Sequence, residues 1–424
     1  MFGTLADIGL DPNVEIDSTG KCVAITVEDK RFEVAGLLYS LNSVVGRGTR
    51  IWVVTYGGVY YILKDSWIQH ERVDSEISML AKMRLEAKLA GCVPTLFCGG
   101  NVKINGIVDS TKLYREDMPK WLPRSQRVHR RLVCTPIGEA LTGYRSKKEF
   151  INAITSIIST HQILFNDLGI LHRDISPNNL LLHRLKADEN TSGLLIDFDY
   201  SEELELVEHR ENSMEECEVN TDEAVDADEV TGPSEIFEAE NIRTRTPPFM
   251  AIEALLAERN DEYAHLPRHD LESILYVILY ICTFTKGPSL PRLDFETPDT
   301  VSMKAWFITE SIKTIGSRKL ADMCRPECTL IPGFTEYWRD FAPFVLELLQ
   351  ACFPPLYNPA GPNHLTHDNM LSILKKAYLT MEESTAPATT DTIEKGVRNL
   401  KRPKESGPGT SVPTKRMKQK LERV

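Results

Sequence analysis

From Phe150 to Leu168 one helical face collects Phe150, Ile151, Ile154, Ile157, Ile158, His161, Leu164, Phe165 and Leu168, and Gly169 follows where a left-handed residue ends a helix. A helix of this length with an apolar stripe must bury that stripe against another layer. What precedes it reads as strands. Cys22–Val27 alternates and is rich in β-branched residues, while Ile51–Tyr56 and Val59–Leu63 flank Gly57-Gly58, a hairpin signal. Ile77, Leu80, Ala81 and Leu85 give a helical spacing that ends near Gly91. Two apolar stretches follow, Val93–Phe97 and Leu132–Cys134, separated by a polar loop with Pro119 and Pro123. Beyond the long helix, strand-like Leu180–Leu182 and Leu194–Ile196 flank a polar turn. A helix from about Asp270 to Cys282 is apolar nearly all round and is expected inside the domain, with further helices over 300–380. Strands first and helices after predict an α+β chain: a β-rich N-terminal lobe over 1–135 and an α-helical C-terminal lobe over 136–383.

Charge is distributed unevenly. Residues 202–240 hold sixteen Asp/Glu against one Arg, and residues 395–424 hold ten Lys/Arg against two Glu. Subtracting −15 and +8 from the net charge of −12 leaves −5 for the remainder. The acidity therefore belongs to an insert within the C-terminal lobe, and the surface is not that of a dedicated nucleic-acid binder. The insert is too charged and too poor in aromatics to fold alone, and 384–424 reads as a disordered basic tail. The nine cysteines form no CxxC pair and no zinc-like spacing, which fits thiols in a reducing, intracellular compartment. The N-terminus lacks a secretory pattern, and the longest apolar run, Ile274 to Phe284, is too short for a membrane span.

The chemistry is concentrated after the long helix. His172-Arg173-Asp174-Ile175-Ser176-Pro177-Asn178-Asn179 fits H-R-D-x-x-x-x-N, and Asp197-Phe198 follows the apolar strand Leu194–Ile196. With these motifs, and with the runs GRGTRIWVV, ILKDSW, LHRDISPNNLLL, LIDFDYS and RTRTPPFMAIEAL, the chain resembles a eukaryotic protein kinase and, more narrowly, the fungal-type protein kinase family, over roughly residues 10–380. The resemblance implies a bilobal protein-kinase-like fold.

It also implies roles that suit the residue types. Phosphoryl transfer needs positioning and charge neutralisation more than covalent help. Asp174 would accept the proton of a substrate hydroxyl. Asn179 and Asp197 would supply oxygens to Mg²⁺. Lys64 would reach the α- and β-phosphates of ATP, held by an ion pair from Glu76, with Glu71 the weaker candidate. Gly46-Arg47-Gly48 would let backbone amides close over the phosphates. Arg173 belongs to the catalytic motif, Thr246 would hydrogen-bond near Asp174, and Glu253 would anchor its loop by an ion pair. Asp270 would accept hydrogen bonds from the backbone around His172 and Arg173. Taken singly, Gly-x-Gly is a turn, Lys64 a solvated strand-end charge, Glu76 an exposed helical charge and Asp197 a loop cap. Their combination is what implies a site.

Four positions depart from the pattern. Ile51 stands for the third loop glycine, Asp199 for the glycine after Asp-Phe, Ile252 for the proline of Ala-Pro-Glu, and Ser176 where many serine/threonine kinases carry lysine. Asp199 is tolerable in a left-handed conformation, which Asp adopts more readily than most residues. The leading expectation is an ATP- and Mg-dependent kinase acting on protein Ser/Thr. A catalytically silent binding module and a small-molecule kinase on the same fold are the alternatives. Lys401-Arg402, twelve intervening residues, and Lys415-Arg416-Met417-Lys418 have the form of a two-part nuclear import signal. The expected partners are thus a protein substrate and an import receptor bound through 401–418, with no membrane and no specific nucleic acid.

Overall fold

A computed structural model describes residues 11–40, 46–72, 75–115, 126–184, 191–204, 246–257, 263–293, 296–309, 311–353 and 365–381. The loop with Pro119 and Pro123, the acidic insert past residue 204 and the basic tail lie outside the described residues. The first half builds one antiparallel sheet from β1 (Val14–Ile16), β2 (Cys22–Val27), β3 (Lys30–Ser40), β4 (Arg50–Tyr56), β5 (Val59–Gln69), β6 (Thr95–Asn101) and a later strand; between them come α1 (Ser75–Met83) and a hairpin, β7 (Lys103–Ile104) and β8 (Ile107–Val108). The later strand is β9 (Arg127–Thr135), which inserts between β5 and β6. Ile25, Phe32, Val54, Tyr61, Leu63 and Val133 form the small core of this sheet.

Two strands run well past their apolar stretches. β5 continues from Leu63 through Lys64, Asp65 and Gln69, and β9 begins five residues before Leu132. The charged residues that mask the pattern are paired inside the fold. On one face His129 lies between two carboxylates, 2.6 Å from Asp65 and 2.9 Å from Asp109, and stacks on Trp67. Burial opposes the charged ring, but hydrogen bonds to Asp109 and Asp65 prevail and hold the His129 pKa above its ordinary value.

α1 is shorter than its spacing predicts. It ends at Met83, and Leu85 is 87% exposed. Glu86 accepts a hydrogen bond from the amide of Lys88 and starts a separate turn, Ala87–Leu89, that buries Leu89 instead. A local cap thus overrides helix continuation.

The second half is helical around β10 (Glu139–Ala140), β11 (Ile170–Leu171), β12 (Leu180–His183), β13 (Ser192–Leu195) and β14 (Glu202–Glu203). α2 (Lys147–Leu168) is capped by Ser146, which accepts from the Glu149 amide, and by Gly169 at φ 67°. Its stripe from Phe150 to Leu164 is buried against β13 and the last helix, while Phe165 and Leu168 are half-buried. α3 (Ile252–Leu256) precedes α4 (Pro267–Phe284), in which every residue from His269 to Leu279 is buried. α5 (Lys304–Ile308), α6 (Ile312–Cys324), α7 (Pro326–Thr329), α8 (Ala342–Cys352) and α9 (His367–Thr380) complete the lobe. The molecule has the expected α+β, bilobal, kinase-like arrangement. Among the described residues, no helix is long and apolar enough to cross a membrane.

Candidate active site

The loop after α2 is held from beneath by one carboxylate. Asp270, on α4, is buried and accepts from the amides of His172 at 2.9 Å and Arg173 at 3.0 Å, and from His161 and His265, each at 2.9 Å. Burial would raise its pKa, but His265 and His161 hold it well below the carboxylate range. This anchoring maintains Arg173 at φ 67°, a conformation costly for a non-glycine residue. The Arg173 guanidinium pairs with Glu202 on β14, the strand that pairs with β11. His172 is buried and its pKa is lowered, chiefly by burial. Its Nε2 lies 3.0 Å from the carbonyl of Ile196, and its Nδ1 accepts from the Asp174 amide at 3.3 Å. A neutral ring tying two loops together is a structural part, not a proton carrier.

Asp174, Arg173 and Thr246 line one crevice. The segment bearing Thr246 is held by polar side chains of α4 and α6. Glu253 pairs with His269 at 2.7 Å and Arg268 at 2.9 Å; Glu272 accepts from the Ile252 amide at 2.8 Å; buried Lys319 donates to the Met250 carbonyl at 2.6 Å. Ile252, in place of proline, is the residue whose amide makes that bond to Glu272, a bond proline cannot make.

Lys64 sits in the middle of β5, its Cα paired with Ile51 on one side and Leu132 on the other. Its Nζ lies 2.6 Å from Asp197 Oδ1, 2.9 Å from Asp199 Oδ2, and 3.1 Å from both oxygens of Glu76. The side chain of Glu71 lies outside the described part of the molecule. Buried Arg130, from β9, bridges Glu76 at 2.7 Å and Asp199 at 2.5 Å. Arg47, between Gly46 at φ 124° and Gly48 at φ 56°, reaches Asp199 at 2.7 Å. Both glycines adopt backbone that other residues rarely take, so this loop can lay an arginine over the carboxylates. Burial and the Asp199 charge push the Glu76 pKa upward, while Lys64 and Arg130 oppose them by favouring its carboxylate. Burial would also raise Asp199, but Lys64, Arg130 and Arg47 hold it well below the usual range.

The left-handed expectation for Asp199 is corrected. The positive φ, 69°, belongs to Asp197, and Asp199 lies in the following turn, Phe198–Tyr200. Its acceptability comes from its three cationic partners. Phe198 is fully buried against His172, with ring centroids 5.0 Å apart.

The donor set suits a hard cation. Asn179 donates its amide nitrogen to the Asp174 carbonyl at 2.8 Å, which leaves Oδ1 for a ligand. Asp197 Oδ2 is 3.9 Å from Arg47, beyond hydrogen-bond distance, and Asp197 is 21% exposed. An amide oxygen and a carboxylate oxygen are what Mg²⁺ prefers. Glu76, Asp197 and Asp199 also bring carboxylate oxygens within 4.8 Å of one another. Glu76 and Asp199 have both oxygens on buried cations, whereas Asp197 has Oδ1 on Lys64 and keeps Oδ2 outside hydrogen-bond distance of Arg47, which makes it the member suited to metal.

The sequence places Asp174, Lys64, Glu76, Asn179 and Asp197 correctly on loop, strand and helix, and the fold brings Lys64, Glu76 and Asp197 together. Arg130 was missed, although a charge spaced like the inward Leu132 and Cys134 on one strand is a detectable signal. Compared with known families, residues 1–282 match the model described as fungal protein kinase. The chain belongs to that family. The match stops near the end of α4, so α5 to α9 extend beyond it. No curated protein matches the chain.

Proposed function

We propose that this family member is an ATP- and Mg-dependent protein kinase that phosphorylates serine or threonine. The observation that carries the reading is the joint placement of Asp174 beside Thr246 in one crevice and of Lys64 on Glu76 and Asp197. Asp174 is positioned as general base for a hydroxyl entering along the Thr246 segment. Lys64 carries the positive charge for the nucleotide phosphates, and Gly46 and Gly48 allow backbone amides to approach them. Asn179 and Asp197 would hold Mg²⁺, which when bound supplies charge neutralisation to the phosphates. The braced Thr246–Leu256 segment favours a peptide over a small metabolite, since it forms a fixed platform beside the base.

The test is transfer of labelled γ-phosphate from ATP. Label is expected on Ser/Thr peptides of a library. Label on a metabolite pool would identify a small-molecule kinase, and nucleotide binding without transfer a silent binding module. The tail adds a second proposal: 401–418 binds a nuclear import receptor, whose acidic grooves would take the two basic clusters on either side of a spacer containing Pro and Gly. A large reporter fused to 384–424 should accumulate in the nucleus. Changing Lys401, Arg402, Lys415 and Arg416 to alanine should leave it in the cytoplasm; an unmutated fusion that stays outside refutes the import reading.

A further inference from the structure

Around Lys64 the charges close into a ring. Lys64 contacts Glu76 at 3.1 Å, Glu76 contacts Arg130 at 2.7 Å, Arg130 contacts Asp199, and Asp199 returns to Lys64 at 2.9 Å. Cation and anion alternate, and the four side chains come from β5, α1, β9 and the turn after Asp197. Side-chain exposure is 13% for Lys64, 5% for Glu76, 1% for Arg130 and 6% for Asp199. We propose that Arg130 and Asp199 are positioning residues for the nucleotide lysine, so that Lys64 is held by a closed ring of four charges and does not depend on Glu76 alone. The inference rests on the kinase reading of Lys64 and deepens it.

Three features give the ring its consequence. Arg130 is buried, and its Nη2 contacts both a carboxylate on α1 and another on the Phe198 turn as charge-assisted hydrogen bonds. The helix and the turn are therefore joined through β9. Asp199 also stands two residues after Asp197, whose φ of 69° needs the surroundings to hold it. Arg72 donates to the Asp199 carbonyl at 3.2 Å, and the guanidinium groups of Arg47 and Arg72 lie 5.2 and 5.1 Å from the Tyr200 ring centroid. The turn carrying the metal-binding Asp197 is thus fixed by the same carboxylate that helps fix Lys64. With a glycine at 199, Arg130 and Arg47 would each lose a partner in a buried place.

The test compares one substitution in two backgrounds. Arg130→Met with Asp199→Asn removes one positive and one negative charge together, leaving the Lys64–Glu76 pair without the ring. Glu76→Gln is then made in this double variant and in the otherwise unchanged protein. If the ring positions Lys64, Glu76→Gln alone should lower kcat less than about tenfold, because Asp199 still holds the lysine; in the double variant, where of these carboxylates Asp197 alone remains on Lys64, it should lower kcat more than about 100-fold, a non-additive effect expected of side chains in one network. Equal fold-losses in the two backgrounds overturn the proposal. Thermal unfolding of all four proteins separates misfolding from misplacement. Arg130→Met/Asp199→Asn that unfolds is replaced by Asp199→Asn alone, which opens the ring at both Lys64 and Arg130. In that variant Glu76→Gln should again cost more than in the parent, and an equal cost overturns the ring. The same comparison is read as Kd for an ATP analogue. If no variant transfers phosphate but the Kd values show the coupling, the kinase reading fails and the ring stands; additive Kd values alongside transfer sink the ring alone.

Discussion

Asp174→Asn is expected to reduce phosphoryl transfer by about 10²–10⁴-fold, the usual contribution of a positioned general base. The substitution is nearly isosteric, and Asp270 holds the loop by accepting from the amides of His172 and Arg173. Binding of an ATP analogue should therefore be retained. Asp197→Asn should behave differently. It removes a carboxylate that contacts Lys64 at 2.6 Å and is exposed enough to meet a cation. The Mg²⁺ dependence of nucleotide binding should shift by at least about 10–100-fold, the range for groups that merely orient metal ligands. Single-turnover transfer and titration of nucleotide at several Mg²⁺ concentrations measure the two effects. Undiminished transfer by both variants would remove Asp174 and Asp197 from the site.

Asp270→Ala should give the largest loss of stability. Four donors converge on this buried carboxylate, two backbone amides and two imidazoles. Removing one side of a buried charged network costs about 3–5 kcal/mol. Because Arg173 is held at φ 67° by these bonds, Asp174 should move as well, and a shift of about 1 Å at a reacting group costs roughly 10²-fold in rate. Urea unfolding and kcat together should register both losses. The pH dependence follows from the depressed pKa of Asp270. Its stabilisation is present above the unfolded value, 3.8, and is lost as pH falls through the lower folded value. Asp270→Ala should therefore unfold with a weaker dependence on acid than the parent protein.

Periodicity made the long elements legible. The stripe of α2, the nearly continuous apolar face of α4 and the Gly57-Gly58 hairpin required nothing beyond local sequence. The loop with Asp174 and Asn179, and Asp197 after its strand, were legible because residues a few positions apart on short segments carry the whole motif. β3 was overlooked, and the full lengths of β5 and β9 were not legible. In the latter two, Lys64, Asp65, Arg130 and Arg131 interrupt the apolar alternation, and whether a charge in a strand ends it or is buried depends on partners elsewhere in the chain.

Sequence by itself determined which residues the kinase-like motifs supply and on which local elements they stand. Tertiary structure alone decided what Asp199 does. In the sequence it is a departure beside Asp-Phe; in the fold it meets Lys64 from β5, Arg130 from β9 and Arg47 from the Gly46–Gly48 loop. These partners lie 135, 69 and 152 residues away along the chain. A backbone pattern reports a residue's own neighbours, whereas the worth of a buried charge is set by the charges that long-range folding places against it.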